Sequence, residues 1–222
     1  MCGRFALTVD PEDLRENFPE YSFPPVYAPR FNIAPTQPIL ALPNDGTGQV
    51  SFFVWGLIPS WAKDPGIGNR LINARAETLD EKPAFRSAYR HHRCLIFSDG
   101  FFEWQAQTGS RGKVPHFIRL NTGQPFAFAG LWEQWSSPDG SVVKSATIIT
   151  TTPNALMARL HNRMPVILPP DAYAQWLDPN PRPSSELQNW LVPYPADQMT
   201  AYPVSTLVNR PENDRPEVVQ PA

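Results

Sequence analysis

The sequence predicts a single α+β domain with a β-rich, barrel-like core and peripheral helices. Its 222 residues are enough for one domain with a substantial core. Many short apolar segments are separated by turn residues, which is typical of short strands. The 27 prolines favour short elements and fixed turns over long helices.

The predicted elements follow in chain order. A short helix is expected over 11–18, because Asp10 is a possible cap and Pro11 suits the first helical position. Residues 19–38 are rich in proline and predict an extended connection, and the polar residues 61–70 predict a surface loop. Strands are predicted at 49–55, 93–97, 116–120, 126–131 and 145–151. Further helices are predicted at 83–92, 154–160, 171–176 and 184–191.

The end of the chain differs in composition from the rest. We expect one folded domain over residues 2–208, followed by a tail over 209–222 that is rich in proline and charge. Such a composition at a terminus predicts poor packing at its end.

Charge and cysteine content exclude several classes of protein. The net charge of −2 carries no global basic signature, so any nucleic-acid contact must come from a local patch. No apolar run approaches the ~20 residues that span a bilayer, and no secretory signal is visible. The only cysteines, Cys2 and Cys94, form neither a disulfide framework nor a metal cluster, and Cys94 lies in an apolar strand as an inert core thiol. We therefore expect a cytoplasmic monomer without cofactor, metal or membrane partner.

Residue 2 is the most informative position in the chain. Because Met1 precedes a small residue, its removal is expected, and Cys2 would then carry an α-amine and a thiol on adjacent carbons. The amine titrates near ~7.7–8.0 and a free thiol near ~8.5, so both are partly nucleophilic at neutral pH. Such a residue attacks a carbonyl first with nitrogen and then with sulfur. A cysteine at this position alone is often an accident of sequence.

Two other segments place polar groups among apolar ones. Glu103 follows Asp99 and lies among three aromatic residues, where a raised pKa would suit proton transfer, although it also fits the solvent side of a strand. His161 and Arg163 lie between a helical segment and an apolar strand, a common place for site residues, although a lone histidine there is more often structural.

The segment 71–78 alternates small and polar residues. If it is extended, Asn73, Arg75 and Glu77 share one face.

Six strings occur in an order that resembles the SRAP (SOS response-associated peptidase) family, whose members cross-link to abasic sites in single-stranded DNA. The resemblance runs from residue 2 to about residue 168, with a weaker echo at 203–205. The strings are MCGRF (1–5), RFNIAP (30–35), WGLIP (55–59), NARAET (73–78), DGFFEW (99–104) and HNRMP (161–165).

The resemblance implies a role for each group of residues. It implies a compact SRAP domain in which Cys2 is the nucleophile, with Asn73, Glu103 and His161 as its companions. The residues implied to contact DNA are Arg4, Asn32, Trp61, Arg75 and Arg163. The implied activity is covalent capture of an abasic site in DNA damage repair: a Schiff base forms first and a thiazolidine follows, which shields the strand from cleavage.

Other classes remain open from the residues alone. An N-terminal-nucleophile amidohydrolase such as a glutaminase also begins Met-Cys-Gly, although the strings around Asn73, Glu103 and His161 do not resemble that family. Cys2, His161 and Glu103 could form the thiol–imidazole–carboxylate set of a peptidase. A non-catalytic DNA-binding module, in which Cys2 is incidental, is the third alternative.

Overall fold

A computed structural model describes residues 2–107, 109 and 112–222. The strands are β1 Phe5–Leu7, β2 Arg30–Ile33, β3 Pro38–Pro43, β4 Ser51–Trp55, β5 Asn73–Arg75, β6 Arg93–Ser98, β7 Gly100–Ala106, β8 Lys113–Leu120, β9 Phe126–Ser136, β10 Val142–Thr151, β11 Met164–Pro165, β12 Ile167–Leu168 and β13 Met199–Pro203. The α-helices are α1 Pro11–Asn17, α2 Arg86–His91, α3 Tyr173–Trp176 and α4 Ser184–Gln188. Short 3-10 helices span Pro65–Arg70, Ala76–Thr78, Met157–Arg159, Pro170–Ala172, Ala196–Gln198, Thr206–Asn209 and Pro216–Val219.

Five strands close into a barrel. Strand β10 pairs with β4 in parallel, and antiparallel pairs β4–β3, β3–β6, β6–β9 and β9–β10 complete the ring. A second sheet has the order β13-β8-β7-β1-β2. Closure of the ring pairs the barrel strands on both sides, which removes exposed edges. The predicted α+β class with a barrel-like core is confirmed.

Aromatic packing joins the two sheets beside the start of the chain. The ring of Phe5, on β1, contacts Trp55 and Phe128 edge-on, with centroid distances of 5.0 and 5.8 Å. Both partners belong to the barrel, and all three side chains are fully buried. Since aromatic pairs in this arrangement stabilise a core beyond the area they bury, the strand that follows Cys2 is firmly fixed.

Glycine at the start of β7 permits close packing behind the candidate site. A Cβ at Gly100 would collide with the ring of Phe117, which lies on the neighbouring strand β8. The ring therefore covers the backbone where β7 begins, three residues before Glu103. Glycine is needed here for close approach.

Several predicted elements are confirmed and others are corrected. Helix α1 forms as expected, and the Asp10 carboxylate accepts hydrogen bonds of 2.9 Å from the backbone N–H groups of Glu12 and Asp13. The five predicted strands appear as β4, β6, β8, β9 and β10. The predicted connection over 19–38 contains β2, which pairs with β1, and the predicted loop over 61–70 ends in a 3-10 helix. Among the described residues, no helix has the length and apolar character needed to cross a membrane.

The prediction of a poorly packed C-terminal end is wrong. Val218 is fully buried in a small apolar cluster with Phe102 and Phe117. The Asp214 carboxylate accepts hydrogen bonds from the backbone N–H groups of Phe31 and Asn32. Composition predicted poor packing, but the buried Val218 and the Asp214 carboxylate both attach the segment to the second sheet.

Candidate functional site

Cys2 lies at the junction of the two sheets. The antiparallel pairing of β1 with β7 matches Phe5 with Phe101, and the Phe102 N–H donates to the Arg4 carbonyl at 2.9 Å. If the same antiparallel register continues two residues further towards the N-terminus, the chain that leads to Cys2 lies beside Glu103 of β7. Cys2 is fully buried, and its thiol donates to the Arg4 carbonyl oxygen at 3.8 Å.

Asn73 fixes the backbone of Cys2 from the barrel side. Its side-chain amide donates a 2.8 Å hydrogen bond to the Cys2 carbonyl oxygen. Asn73 begins β5, where it pairs in parallel with Ile148 of β10. The barrel thus holds residue 2 against the second sheet.

The thiol of Cys2 differs from the sequence expectation of a partly ionised group. Burial raises the pKa of this thiol, and the negative charge of Glu103 raises it further. The resting thiol is therefore neutral, because both desolvation and a nearby carboxylate disfavour a thiolate. Burial likewise raises the pKa of Cys94, which is fully buried in β6 as predicted.

Glu103 faces the interior, and the alternative of a solvent-facing glutamate is wrong. Its exposed fraction is 3%, and it pairs with His116 across β7 and β8. Burial raises the pKa of the carboxyl group, and the hydrogen bond from the backbone of Trp104 offsets part of that rise. Such a group exchanges protons closer to neutral pH than an ordinary glutamate.

His161 is partly buried and held by its own backbone neighbours. The Arg163 N–H donates to His161 Nδ1 at 3.1 Å. The same Nδ1 lies 3.4 Å from the Arg163 carbonyl oxygen, and because the contact with the N–H is the shorter of the two, we assign Nδ1 as the acceptor and place the proton of the neutral ring on Nε2. Desolvation lowers the pKa of His161. The side chain of Gln105, two residues after Glu103, donates to the Arg159 carbonyl at 3.0 Å and ties the segment before His161 to β7.

Arg163 is bound to the protein and is not presented to solvent. Its two terminal nitrogens donate to the Glu77 carboxylate at 2.6 and 2.9 Å, and one of them also donates to the Thr150 carbonyl at 2.7 Å. Its side chain is 13% exposed. In this structure Arg163 is held by the Glu77 carboxylate, and its contact with phosphate stays a prediction, in which a phosphate would have to displace or share that bidentate partner.

Glu77 does not share a face with Asn73 and Arg75. Strand β5 ends at Arg75, and a 3-10 helix begins at the next residue, which turns Glu77 towards Arg163. The expectation of one extended face over 71–78 is wrong for that reason. The sequence offered no signal that would pair Glu77 with a residue so distant in the chain.

Asn32 has a structural role. It is fully buried, and its amide nitrogen lies within hydrogen-bonding distance of the carbonyls of Val208, Arg210 and Asn213, at 3.3, 3.0 and 3.0 Å. Its Oδ1 accepts from Arg4 Nη1 at 2.8 Å. Because a fully buried side chain cannot reach a DNA strand outside the fold, this role replaces the predicted DNA contact.

The remaining predicted DNA residues lie at the surface. Arg75 is exposed and makes no side-chain hydrogen bond or ion pair within the described chain. Arg4 is half-buried, with one nitrogen bonded to Asn32 and to the Val208 carbonyl. Trp61 is 60% exposed, which is unusual for a large apolar side chain. Arg75 and Trp61 are available to an external ligand without unfolding, whereas Arg4 is held by its contacts with Asn32 and Val208 and exposes only part of its side chain.

The ordered strings and the joined geometry are those of one family. A family model described as SOS response associated peptidase (SRAP) matches residues 1–211. The chain belongs to the SRAP family.

Curated relatives and a solved structure match nearly the whole chain. The "Abasic site processing protein YoqW" of Bacillus subtilis is 47% identical over 223 residues, covering 99% of each chain. The "Abasic site processing protein YedK" of Escherichia coli is 32% identical over 235 residues and covers 100% of each. A crystal structure of a protein from Bacteroides thetaiotaomicron superposes with a TM-score of 0.88 at 25% identity, with full coverage of both chains.

Within the described residues of this SRAP domain, no group of three or more histidine, cysteine, aspartate or glutamate side chains is arranged to hold a metal. The constellation instead consists of a buried thiol, a buried carboxyl group, an amide and a neutral imidazole. Those groups perform nucleophilic addition and proton transfer.

Proposed function

We propose that this protein captures abasic sites in single-stranded DNA by a covalent bond to Cys2 and so shields the lesion from strand cleavage. The observation that carries the proposal is the hydrogen bond from Asn73 to the Cys2 carbonyl, which fixes residue 2 beside Glu103. The relatives that match end to end carry the name abasic site processing protein. A monomeric, DNA-processing protein of the bacterial cytoplasm is the form that we propose.

The reaction follows from the groups present. After removal of Met1, the Cys2 amine adds to the aldehyde carbon of the ring-opened sugar, and loss of water gives a Schiff base. The sulfur then adds to the same carbon, and the thiol proton passes to the imine nitrogen, so aldehyde and cysteine give a thiazolidine and one water. Closure is intramolecular and therefore has a high effective concentration.

Glu103 is the proposed proton shuttle for both steps. It accepts a proton from the incoming amine and donates one to the departing hydroxyl group. Since burial raises the pKa of the Cys2 thiol, ring closure also needs a base that takes the thiol proton. Glu103, whose own pKa is raised by burial, is the carboxylate whose charge acts on that thiol.

His161 is proposed to assist opening of the sugar ring. Its Nδ1 accepts from a backbone N–H, so the neutral ring presents Nε2–H as a donor. Desolvation lowers the pKa of this histidine and keeps it neutral at physiological pH. A neutral donor can support the ring oxygen as the carbon–oxygen bond breaks.

Arg4 and Arg75 are the proposed phosphate contacts, and Trp61 is the proposed stacking surface. Phosphate contacts position a strand without reading its sequence. An exposed indole stacks on any base, which favours an unpaired strand. Two local cations are compatible with the net charge of −2, and binding should weaken with salt.

The test compares an oligonucleotide that carries one abasic site with the same strand intact. Protein whose Met1 removal has been verified by mass spectrometry should give a covalent band that survives heating on a denaturing gel, with the abasic strand only. Protein that retains Met1 is the matched control and should give none. Absence of a heat-stable band from correctly processed protein would refute the proposal.

A further inference from the structure

The ion pair between Glu77 and Arg163 stands beside the proposed proton donor and has no part in the chemistry described above. Glu77 follows β5, the strand that begins with Asn73, whereas Arg163 follows His161 by two residues. Strand β10 separates the two segments, pairing with β5 on one side and with β11 on the other. The pair therefore bridges two of the segments from which the site is built.

The bridge is anchored at both ends. The two nitrogen–oxygen distances of 2.6 and 2.9 Å describe a bidentate arginine–carboxylate pair. The same guanidinium donates to the Thr150 carbonyl at 2.7 Å, and Thr150 pairs with Arg75 in β5 and with Pro165 in β11. Bidentate pairs of this kind fix orientation as well as adding energy.

Arg163 in turn sets the orientation of His161. Its backbone N–H donates to His161 Nδ1 at 3.1 Å, which selects the tautomer with a proton on Nε2. Because Glu77 and Thr150 both hold its guanidinium, Arg163 keeps one side-chain conformation, which restrains the backbone N–H that contacts His161. The ring of His161 is thereby fixed through its neighbour.

We infer that Glu77 is a positioning residue for the reaction: it holds Arg163, and through Arg163 it keeps His161 oriented as a neutral Nε2–H donor. The inference rests on the proposed function, since it assigns Glu77 to the ring-opening step. The carboxylate has a second effect, because it neutralises the charge of Arg163 beside the imidazole.

The electrostatics agree with this geometry. The hydrogen bonds from Arg163 hold the pKa of Glu77 below its usual range, so the carboxylate is ionised throughout the neutral range. The pKa of His161 is lowered mainly by desolvation; the backbone hydrogen bond with Arg163 opposes that shift, and the charge of the Arg163 side chain adds a smaller lowering effect. Removing the negative charge of Glu77 leaves the positive charge of Arg163 uncompensated, which should lower the pKa of His161 below its value in the wild-type protein.

The experiment uses Glu77→Gln in the full-length, Met1-processed protein. The substitution keeps the shape and one acceptor, and the Glu77 side chain is 46% exposed, so folding should be retained. Glu186→Gln is the control, because it also removes an exposed partner of an arginine, in helix α4. Two measurements are made: cross-linking rate against DNA concentration, and NMR titration of His161 with labelled histidine.

We expect the Glu77→Gln rate at saturating abasic DNA to fall roughly 3–10-fold, which corresponds to about 0.6–1.4 kcal/mol in the barrier. The half-saturating DNA concentration should stay unchanged, and the pKa of His161 should fall. Glu77→Ala, which leaves no acceptor, should lower the rate further. The control variant should match wild type in every measurement.

Three results would overturn the inference. An unchanged saturating rate together with an unchanged His161 pKa removes the role of Glu77. Tighter DNA binding at an unchanged saturating rate would show that Glu77 competes with phosphate for Arg163 instead. A lower rate with a normal His161 titration would show that the effect does not pass through His161. If wild type gives no cross-link, the proposed function itself fails, which is a separate outcome.

Discussion

The amide of Asn73 donates a hydrogen bond of 2.8 Å to the carbonyl oxygen of Cys2, and it joins the barrel to the start of the second sheet. The bond is made to the backbone carbonyl of the proposed nucleophile, so Asn73 does not engage the thiol or the amine. Its effect is therefore to place the reacting groups of Cys2 relative to Glu103.

Asn73→Ala should slow cross-linking because Cys2 loses this anchor. A hydrogen bond of this kind contributes on the order of 1–2 kcal/mol, so we expect a decrease of roughly 5–30-fold in the single-turnover rate. Asn17→Ala is the control, since the Asn17 amide also donates to a carbonyl at 2.8 Å, but on the exposed face of α1. Equal rates for Asn73→Ala and wild type would remove the anchoring role.

Glu103→Gln should stabilise the fold at neutral pH while it slows the reaction. Burial raises the pKa of Glu103, so the folded protein holds this proton to a higher pH than the unfolded chain does. The contribution of Glu103 to stability is therefore fully present below about pH 4.3, the pKa of a glutamate in the unfolded chain. It is lost as the pH rises through the higher pKa that Glu103 has in the folded protein. Glutamine cannot ionise and avoids the loss.

Thermal unfolding from pH 4 to pH 8 checks this sign. The melting temperature of Glu103→Gln should exceed that of wild type by a margin that grows with pH and vanishes near pH 4. Glu16→Gln, on the exposed side of α1, is the control and should show no growing margin. A Glu103→Gln variant that is less stable than wild type at pH 8 would contradict the assignment of a buried, costly charge.

Trp61→Ala should weaken binding to a single strand without changing the fold. Loss of one stacked base reduces binding by about 1–3 kcal/mol. Phe52→Ala is a matched control, because Phe52 is also an exposed aromatic residue, at 50% exposure, on barrel strand β4. Fluorescence anisotropy with a labelled abasic strand measures both variants, and equal losses would show that exposure alone explains the effect.

Asp214→Ala should destabilise the protein, although it lies in the segment that composition marks as a loose tail. The carboxylate accepts from the backbone N–H groups of Phe31 and Asn32 and pairs with Arg30. Loss of these bonds should reduce the free energy of unfolding by about 1–3 kcal/mol. Glu217→Ala breaks only the exposed pair with Arg215 and should have little effect in denaturant titrations. Equal stabilities for the two variants would mean that the segment is dispensable.

The sequence predicted what local chemistry determines. The Asp10 cap and Pro11 predicted α1, and apolar runs predicted the strands of the barrel, because both signals act over a few residues. The resemblance implied that Asn73 is a companion of Cys2, and the structure places its amide on the Cys2 carbonyl.

Long-range partners were beyond local patterns. Nothing near Glu77 indicates that it pairs with Arg163, and nothing near Asn32 indicates that the segment from Val208 will bury it. The ionisation of Cys2 was misjudged for the same reason. The ordinary pKa of a cysteine thiol applies to a sulfur surrounded by water, whereas two sheets exclude water from the sulfur of Cys2.

The central claim is that Cys2 forms the covalent bond, and the most direct measurement is the yield of heat-stable cross-link from Cys2→Ala. Processed Cys2→Ala keeps the amine and loses the sulfur, so we expect at most an imine that does not survive heating. Cys94→Ser, which removes the other buried thiol, should cross-link as wild type does. A heat-stable band from Cys2→Ala equal to that of wild type would contradict the account.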